Sequence, residues 1–155
     1  MVMNFKEKAP DFTLPDENGE PVTLSSFKGK PVVLFFYPRA NTPGCTVEAC
    51  GFRDTYAKLT RAGLTVLGIS PDTPKAQKKF QEKFSLPYTL LADAEKDVAK
   101  LFDVLKEKNM YGKKVMGIER TTFFIAPDGT ITQLWRKVKP EGHADEVLAW
   151  YKAHK

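Results

Sequence analysis

The sequence of 155 residues contains only two cysteines and two histidines, and it has no long hydrophobic run. Two cysteines are too few for the disulfide framework of a small secreted domain. The longest apolar run, Val32–Tyr37, has six residues, whereas a transmembrane helix needs roughly 20. The first ten residues, MVMNFKEKAP, lack the apolar core of a signal peptide. We therefore expect a cytoplasmic protein that does not enter a membrane.

Composition and charge indicate an ordinary globular protein. The chain is 42% hydrophobic and 28% charged, which is typical of a soluble domain, and its length predicts one domain over residues 1–155. The net charge of +5 comes from lysines and arginines scattered among acidic neighbours. The densest basic cluster, KEKNMYGKK at 106–114, matches no nucleic-acid motif. We therefore expect no nucleic-acid partner.

The alternation of apolar and turn-forming segments predicts an α/β fold. PVVLFFYP and LTVLGIS are apolar on both faces, which is typical of central strands covered by helices. The pattern predicts helices over 46–62, 73–84, 97–102 and 143–153. Extended segments are predicted at 11–14 and 22–24 as an N-terminal hairpin, at 88–92, and on both sides of a PDG turn in TTFFIA and TITQLW, with a loop at 103–118. This order predicts a thioredoxin-like fold, in which helices flank a mixed central sheet.

Both cysteines lie in the segment NTPGCTVEAC at 41–50, five positions apart. Cys45 falls in the first turn of the first core helix, where unpaired backbone N–H groups and the helix dipole stabilise an anion such as a thiolate. Cys45, Ala49, Phe52, Tyr56 and Leu59 form one stripe that faces the core. On an intact helix the Cα atoms of Cys45 and Cys50 would be about 8–9 Å apart, beyond the limit of about 7 Å for a disulfide. A static disulfide is therefore not expected, although one could form after local unwinding.

Several other interpretations of the pair stay open at this point. Two inert cysteines could simply fill the core as small hydrophobic residues. A zinc site is disfavoured because only His143 and His154 could assist, and no pair of ligands has the spacing of a zinc site. A Cys–His hydrolase is disfavoured because no acidic or amide residue stands out to orient His143. The residues alone therefore leave two main interpretations of the pair, a reactive thiolate at Cys45 and an inert pair in the core.

The segment YPRANTPGCTVEAC resembles the active site of peroxiredoxins, whose signature is Pro-x-x-x-Thr/Ser-x-x-Cys. Pro38, Thr42 and Cys45 fill this signature without a gap. The resemblance extends over nearly the whole chain, through PDFTLPDENGEP, GISPD and ERTTFFIAPDG. The Cys-x4-Cys spacing is similar to that of the peroxiredoxin Q, or bacterioferritin-comigratory-protein, branch.

The resemblance implies a role for each matching residue. It implies that Cys45 is the peroxidatic nucleophile, which a peroxide oxidises to sulfenic acid, and that Cys50 resolves this acid as an intramolecular disulfide. Thr42 would offer its hydroxyl to thiolate and peroxide, with a helix cap as the alternative. Pro38 would shield the thiolate, with a strand terminator as the alternative. Arg120 would hold the thiolate and polarise the peroxide; taken alone, it would be a surface strand residue paired with Glu119.

Further expectations follow from the same resemblance. Glu48 is interpreted as a first-turn acid that favours the helix dipole, with tuning of the site as the alternative. Hydroperoxides would be the substrate and thioredoxin, or a similar dithiol, the reductant. No metal and no organic cofactor would be needed. The 103–118 loop, with Met110, Tyr111 and Met116, would border the substrate pocket.

Three functions are consistent with these residues. The main prediction is a thiol peroxidase, monomeric because resolution within one chain needs no partner subunit. The alternatives are a peroxide-sensing thiol relay protein and a non-catalytic binding or holdase module on the same fold.

Overall fold

The structure, a computed structural model, describes residues 7–110 and 112–154, with the backbone alone at 108–110. The strands in chain order are β1 (Thr13–Pro15), β2 (Pro21–Thr23), β3 (Val32–Phe36), β4 (Thr65–Ser70), β5 (Thr89–Ala92), β6 (Leu105–Met110), β7 (Lys113–Ile118), β8 (Thr121–Ile125) and β9 (Ile131–Trp135). The α-helices are α1 (Pro43–Arg61), α2 (Pro74–Phe84), α3 (Asp97–Leu101) and α4 (His143–His154). Leu24–Phe27 forms a 3-10 helix after β2.

The central sheet has five strands in the order β5-β4-β3-β8-β9. β3, β4 and β5 run parallel, because helical crossovers connect them, and β8 and β9 run antiparallel to their neighbours. All five residues of β3 and all five of β8 are buried. The predicted mixed sheet is therefore confirmed, and so is the N-terminal hairpin, in which Leu14 pairs with Val22.

Two apolar clusters cover the two faces of this sheet. Alternate residues of β3 point to opposite sides, since successive side chains of a strand do so. Phe36 packs on one side with residues of α3 and the 3-10 helix, whereas Phe35 packs on the other with residues of α1, α2 and α4. The ring of Phe35 stacks on Phe52 of α1 with centroids 4.5 Å apart. This contact fixes α1, and with it both cysteines, against the sheet.

The prediction of a loop at 103–118 is wrong in part. This segment forms an antiparallel ribbon of β6 and β7, in which Leu105 pairs with Ile118 and Glu107 with Met116. Most described side chains of β7 are exposed, so the sequence has no alternation of buried and exposed residues to indicate a strand. The Met116 side chain is exposed, and Tyr111 lies outside the described residues.

Helix α1 starts three residues earlier than predicted. Its first residue is Pro43, at a position where the missing N–H costs nothing and the fixed φ suits a helix. Cys45 is therefore the third helical residue and still lies in the first turn. The prediction of an anion-stabilising position for Cys45 is consistent with this geometry.

Candidate active site

Cys45 lies at the N-terminus of α1 with its side chain turned toward the core. It is 1% exposed, and it packs in the same cluster as Ala49, Phe52 and Leu59. The predicted stripe of α1 is thereby confirmed, with Tyr56 partly buried at its edge. A sulfur atom here sits next to the unpaired N–H groups of the helix start while water is largely excluded.

Arg120 brings a positive charge to this sulfur from 75 residues away in the chain. Its Nη1 atom lies 3.5 Å from the Sγ atom of Cys45, within hydrogen-bond distance for sulfur. Arg120 directly precedes β8, whose pairing with β3 places it beside the start of α1. A methyl group on Gly44 would come within 3.1 Å of Nη2 of Arg120. The absence of a side chain at Gly44 therefore leaves room for the guanidinium group over the helix start.

The partner of Arg120 is Glu48 and not Glu119. Nη1 of Arg120 donates to Oε1 of Glu48 at 2.9 Å, whereas Glu119 lies 3.7 Å from Arg136. The carboxyl group of Glu48 has no exposed surface, and its Oε2 atom has no hydrogen-bond partner among the described residues. Burial raises the pKa of Glu48 to about 7, and Arg120 opposes this shift only in part.

The buried position of Glu48 contradicts its interpretation as a first-turn acid that only favours the helix dipole. The sequence did contain a signal for this position. Glu48 is three residues after Cys45 and four before Phe52, so helical spacing places it on the buried stripe. A carboxyl group on that stripe needs a cation, and Arg120 supplies it.

Glu48 should make the stability of the protein depend on pH. The folded state keeps a proton that the unfolded chain releases near pH 4.5, so the free energy of unfolding falls between about pH 4.5 and 7. Glutamine does not titrate. We compare the free energy of unfolding of Glu48→Gln with that of wild type at each pH. The difference, variant minus wild type, should increase by about 3 kcal/mol from pH 4.5 to pH 8.

Urea unfolding at a series of pH values measures this difference. Glu141→Gln is the matched control, because Glu141 is exposed and we expect its difference from wild type to vary little with pH. A constant difference for Glu48→Gln over the whole range would show that Glu48 does not titrate there.

Thr42 and Pro38 both lie in the segment that leads from β3 into α1. Thr42 is the N-cap residue by backbone conformation, and its carbonyl accepts from the N–H of Thr46 at 2.8 Å. Its side chain makes no capping bond; the hydroxyl donates to the carbonyl of Arg39 at 3.0 Å. A hydroxyl has one proton, so in this rotamer Thr42 can accept from a bound peroxide but cannot also donate to the thiolate. Pro38 is half-buried and directly follows Tyr37.

A buried polar network holds this segment in place. The Tyr37 hydroxyl donates to Gln77 at 2.6 Å, and the Gln77 amide donates to Ser70 at 2.9 Å. Ser70 donates to Asp72, whose carboxylate also accepts from the N–H of Ala40 at 2.8 Å. These bonds tie the segment before α1 to β4 and α2, and they support the geometry around Cys45 indirectly. Nothing in the sequence alone pointed to Asp72 for this role.

Cys50 lies on the same intact helix and is half-buried, and both cysteines are free. The absence of a static disulfide agrees with the predicted spacing. Any bond between the two sulfur atoms therefore requires residues 45–50 to leave the helical conformation.

An acidic residue orients His143, although none was expected from the sequence to do so. Its Nδ1 atom lies 2.8 Å from Glu146 and its Nε2 atom 2.8 Å from the hydroxyl of Thr122. A carboxylate only accepts, so Nδ1 donates to Glu146, and a neutral ring then accepts from Thr122. Burial lowers the pKa of His143 and favours this neutral form. Both ring nitrogens are thus engaged away from the cysteines.

Comparisons with known proteins show the family and the fold to which this chain is similar. The model of the AhpC/TSA family matches residues 5–134. The chain is 51% identical to a putative peroxiredoxin Bcp of Coxiella burnetii, over 96% of this chain and 98% of that protein, and 47% identical to peroxiredoxin Bcp of Bacillus subtilis, over 96% and 94%. A structure of bacterioferritin comigratory protein from Xanthomonas campestris, described with its alkyl peroxide reduction activity, is similar with a TM-score of 0.88, at 43% identity over 92% of this chain and 90% of that one. These similarities confirm the predicted thioredoxin-like fold.

Among residues 7–110 and 112–154, no helix combines the length and the apolar character that crossing a membrane requires.

Proposed function

The chain belongs to the AhpC/TSA family, in its peroxiredoxin Q branch, and it is a thiol-dependent peroxidase; we propose that Cys45, Arg120 and Cys50 carry out its reaction. The observation that carries this proposal is the contact of 3.5 Å between Arg120 and the buried sulfur of Cys45 in the first turn of α1. A cation and a helix N-terminus both favour the thiolate, which is the nucleophilic form of cysteine.

In the first step, the Cys45 thiolate attacks one oxygen of a hydroperoxide. An S–O bond forms, the O–O bond breaks, and the leaving hydroxide or alkoxide takes up a proton from solvent, which gives a sulfenic acid and water or an alcohol. Arg120 donates N–H groups to the negative charge that passes from sulfur to oxygen, and charge-assisted bonds of this kind are strong in a site that excludes water. Thr42 accepts from the hydroperoxide O–H, and Pro38 shields the thiolate.

In the second step, the Cys50 thiol attacks the sulfenic acid. A disulfide forms and water leaves, so the oxidation stops before the irreversible sulfinic acid. Helix α1 must open between the two cysteines for this step, because an intact helix keeps their Cα atoms about 8–9 Å apart.

A dithiol donor then restores both thiols. Peroxiredoxins act on peroxides and are generally reduced by thioredoxin-like proteins, and we propose thioredoxin for this chain. Because one chain supplies both cysteines, a monomer is sufficient for catalysis. We propose that the chain acts as one domain in the cytoplasm.

Mass spectrometry tests the pairing of the two cysteines. After one equivalent of hydrogen peroxide, we expect the wild-type mass to fall by two hydrogen atoms, and a Cys50→Ser protein to hold a sulfenic acid that dimedone traps. Sulfinic acid as the only wild-type product would contradict the role of Cys50. Thioredoxin-coupled consumption of several hydroperoxides separates the enzyme from a sensor, which would turn over slowly.

A further inference from the structure

The segment between the two cysteines is held by a side chain from outside the helix. Tyr88, which directly precedes β5, is 3% exposed, and its hydroxyl donates to the carbonyl of Ala49 at 2.7 Å. This carbonyl belongs to the peptide group that joins Ala49 to Cys50. Cys50 therefore cannot move toward Cys45 without moving the atom that Tyr88 binds.

We propose that Tyr88 is a positioning residue that keeps the Ala49–Cys50 peptide in the helical form and thereby sets the rate at which Cys50 reaches oxidised Cys45. The proposal rests on the proposed roles of the two cysteines. In the helix, the Ala49 carbonyl also accepts from the N–H of Arg53, four residues on. A carbonyl has two lone pairs, so Tyr88 adds a second bond to the group.

The surroundings of Tyr88 make this bond costly to break. Its ring packs edge-on against Phe35 and lies 6.0 Å from the ring of Tyr56. When the helix opens, the Tyr88 hydroxyl loses its acceptor in an apolar region, and a buried donor without a partner is unfavourable. Burial also raises the pKa of Tyr88 well above its ordinary value, so the hydroxyl remains protonated and a donor at neutral pH.

Two reactions of the Cys45 sulfenic acid therefore compete with each other. Attack by Cys50 gives the disulfide and water, whereas a second hydroperoxide gives sulfinic acid and an alcohol. A bond that slows opening leaves the sulfenic acid exposed to the second reaction for longer. Tyr88 would thus set how much peroxide the enzyme tolerates before it is inactivated.

Tyr88→Phe tests this role, because it removes the hydroxyl and leaves the Ala49 carbonyl bonded to Arg53. We expect disulfide formation to become about tenfold faster, the effect of losing about 1.4 kcal/mol. The peroxide concentration that gives half sulfinic acid should rise by a similar factor. Quenched mixing with hydrogen peroxide, alkylation and intact-mass measurement give both quantities. Amide hydrogen exchange over residues 45–50 should also become faster.

Tyr56→Phe is the matched control, since the Tyr56 hydroxyl makes no hydrogen bond within the described ranges, and we expect wild-type values for it. The first step, measured as loss of the Cys45 thiol in a Cys50→Ser background, should change less than twofold with Tyr88→Phe. If disulfide formation in Tyr88→Phe is as slow as in wild type, the role of Tyr88 is wrong and the proposed function stands. If wild type forms no disulfide at all, both proposals fail.

Discussion

Replacement of Cys45 by serine is expected to lower peroxide consumption by at least about 10⁴-fold, since enzymes accelerate their reactions by about 10⁶-fold or more. A serine hydroxyl at this position stays protonated and is a far weaker nucleophile than a thiolate. Serine is close in size to cysteine and can still contact Arg120. The fold should therefore persist, and circular dichroism should match that of wild type.

Cys50→Ser is the matched control in the same helix. It keeps the nucleophile, so we expect it to consume about one equivalent of hydrogen peroxide at the wild-type rate and then to stop in a thioredoxin-coupled assay. Peroxide consumption by Cys45→Ser at more than a few per cent of the wild-type rate would overturn the assignment of the nucleophile. It would favour a binding or holdase module in which the cysteines are incidental.

The elements of the core could be predicted because their signals are local. The apolar run of β3 is confirmed as a buried strand, and the helix predicted over 73–84 is confirmed as α2. The Thr73 side chain accepts from the N–H of Ala76, as a capping residue does. The β6–β7 ribbon was missed because its backbone ladder stabilises it and Lys113–Met116 are exposed. A strand whose side chains are mostly solvated leaves no periodic pattern in the sequence.

Some residues of the candidate site could likewise be predicted from local signals in the sequence, and others could not. The place of Cys45 in a first helical turn follows from its neighbours in the chain. The place of Arg120 depends on the pairing of β8 with β3, which spacing along the chain does not reveal, so only the family resemblance indicated it. For the same reason, the sequence alone predicts the neighbouring Glu119 as the partner of Arg120. Arg120 instead contacts Glu48, a residue of another element.

Replacement of Arg120 by methionine is expected to lower kcat/KM for hydrogen peroxide by about 10²–10³-fold, which is typical for loss of one donor to a developing anion. Arg120 lies within hydrogen-bond distance of the Cys45 sulfur, at 3.5 Å, and its side chain is only 16% exposed. Its charge therefore acts in a region where water screens it weakly. Stopped-flow oxidation of Cys45 measures the step directly.

Arg61→Met is the matched control, because it removes the same charge from the far end of α1, where Arg61 is exposed. We expect its kcat/KM to stay within about twofold of wild type, since solvent screens a distant surface charge. A similar loss in both variants would mean that net charge, and not the contact with sulfur, governs the rate.

Loss of Arg120 also leaves the buried carboxyl of Glu48 without its cation. An unpaired buried carboxylate is unfavourable, so Glu48 should bind a proton more tightly in Arg120→Met than in wild type. The double variant Arg120→Met with Glu48→Gln removes this penalty. We expect it to recover stability at pH 8 but not the rate of Cys45 oxidation. Recovery of stability without activity would separate the two functions of Arg120, whereas recovery of both would show that Arg120 acts on the thiolate only by neutralising Glu48.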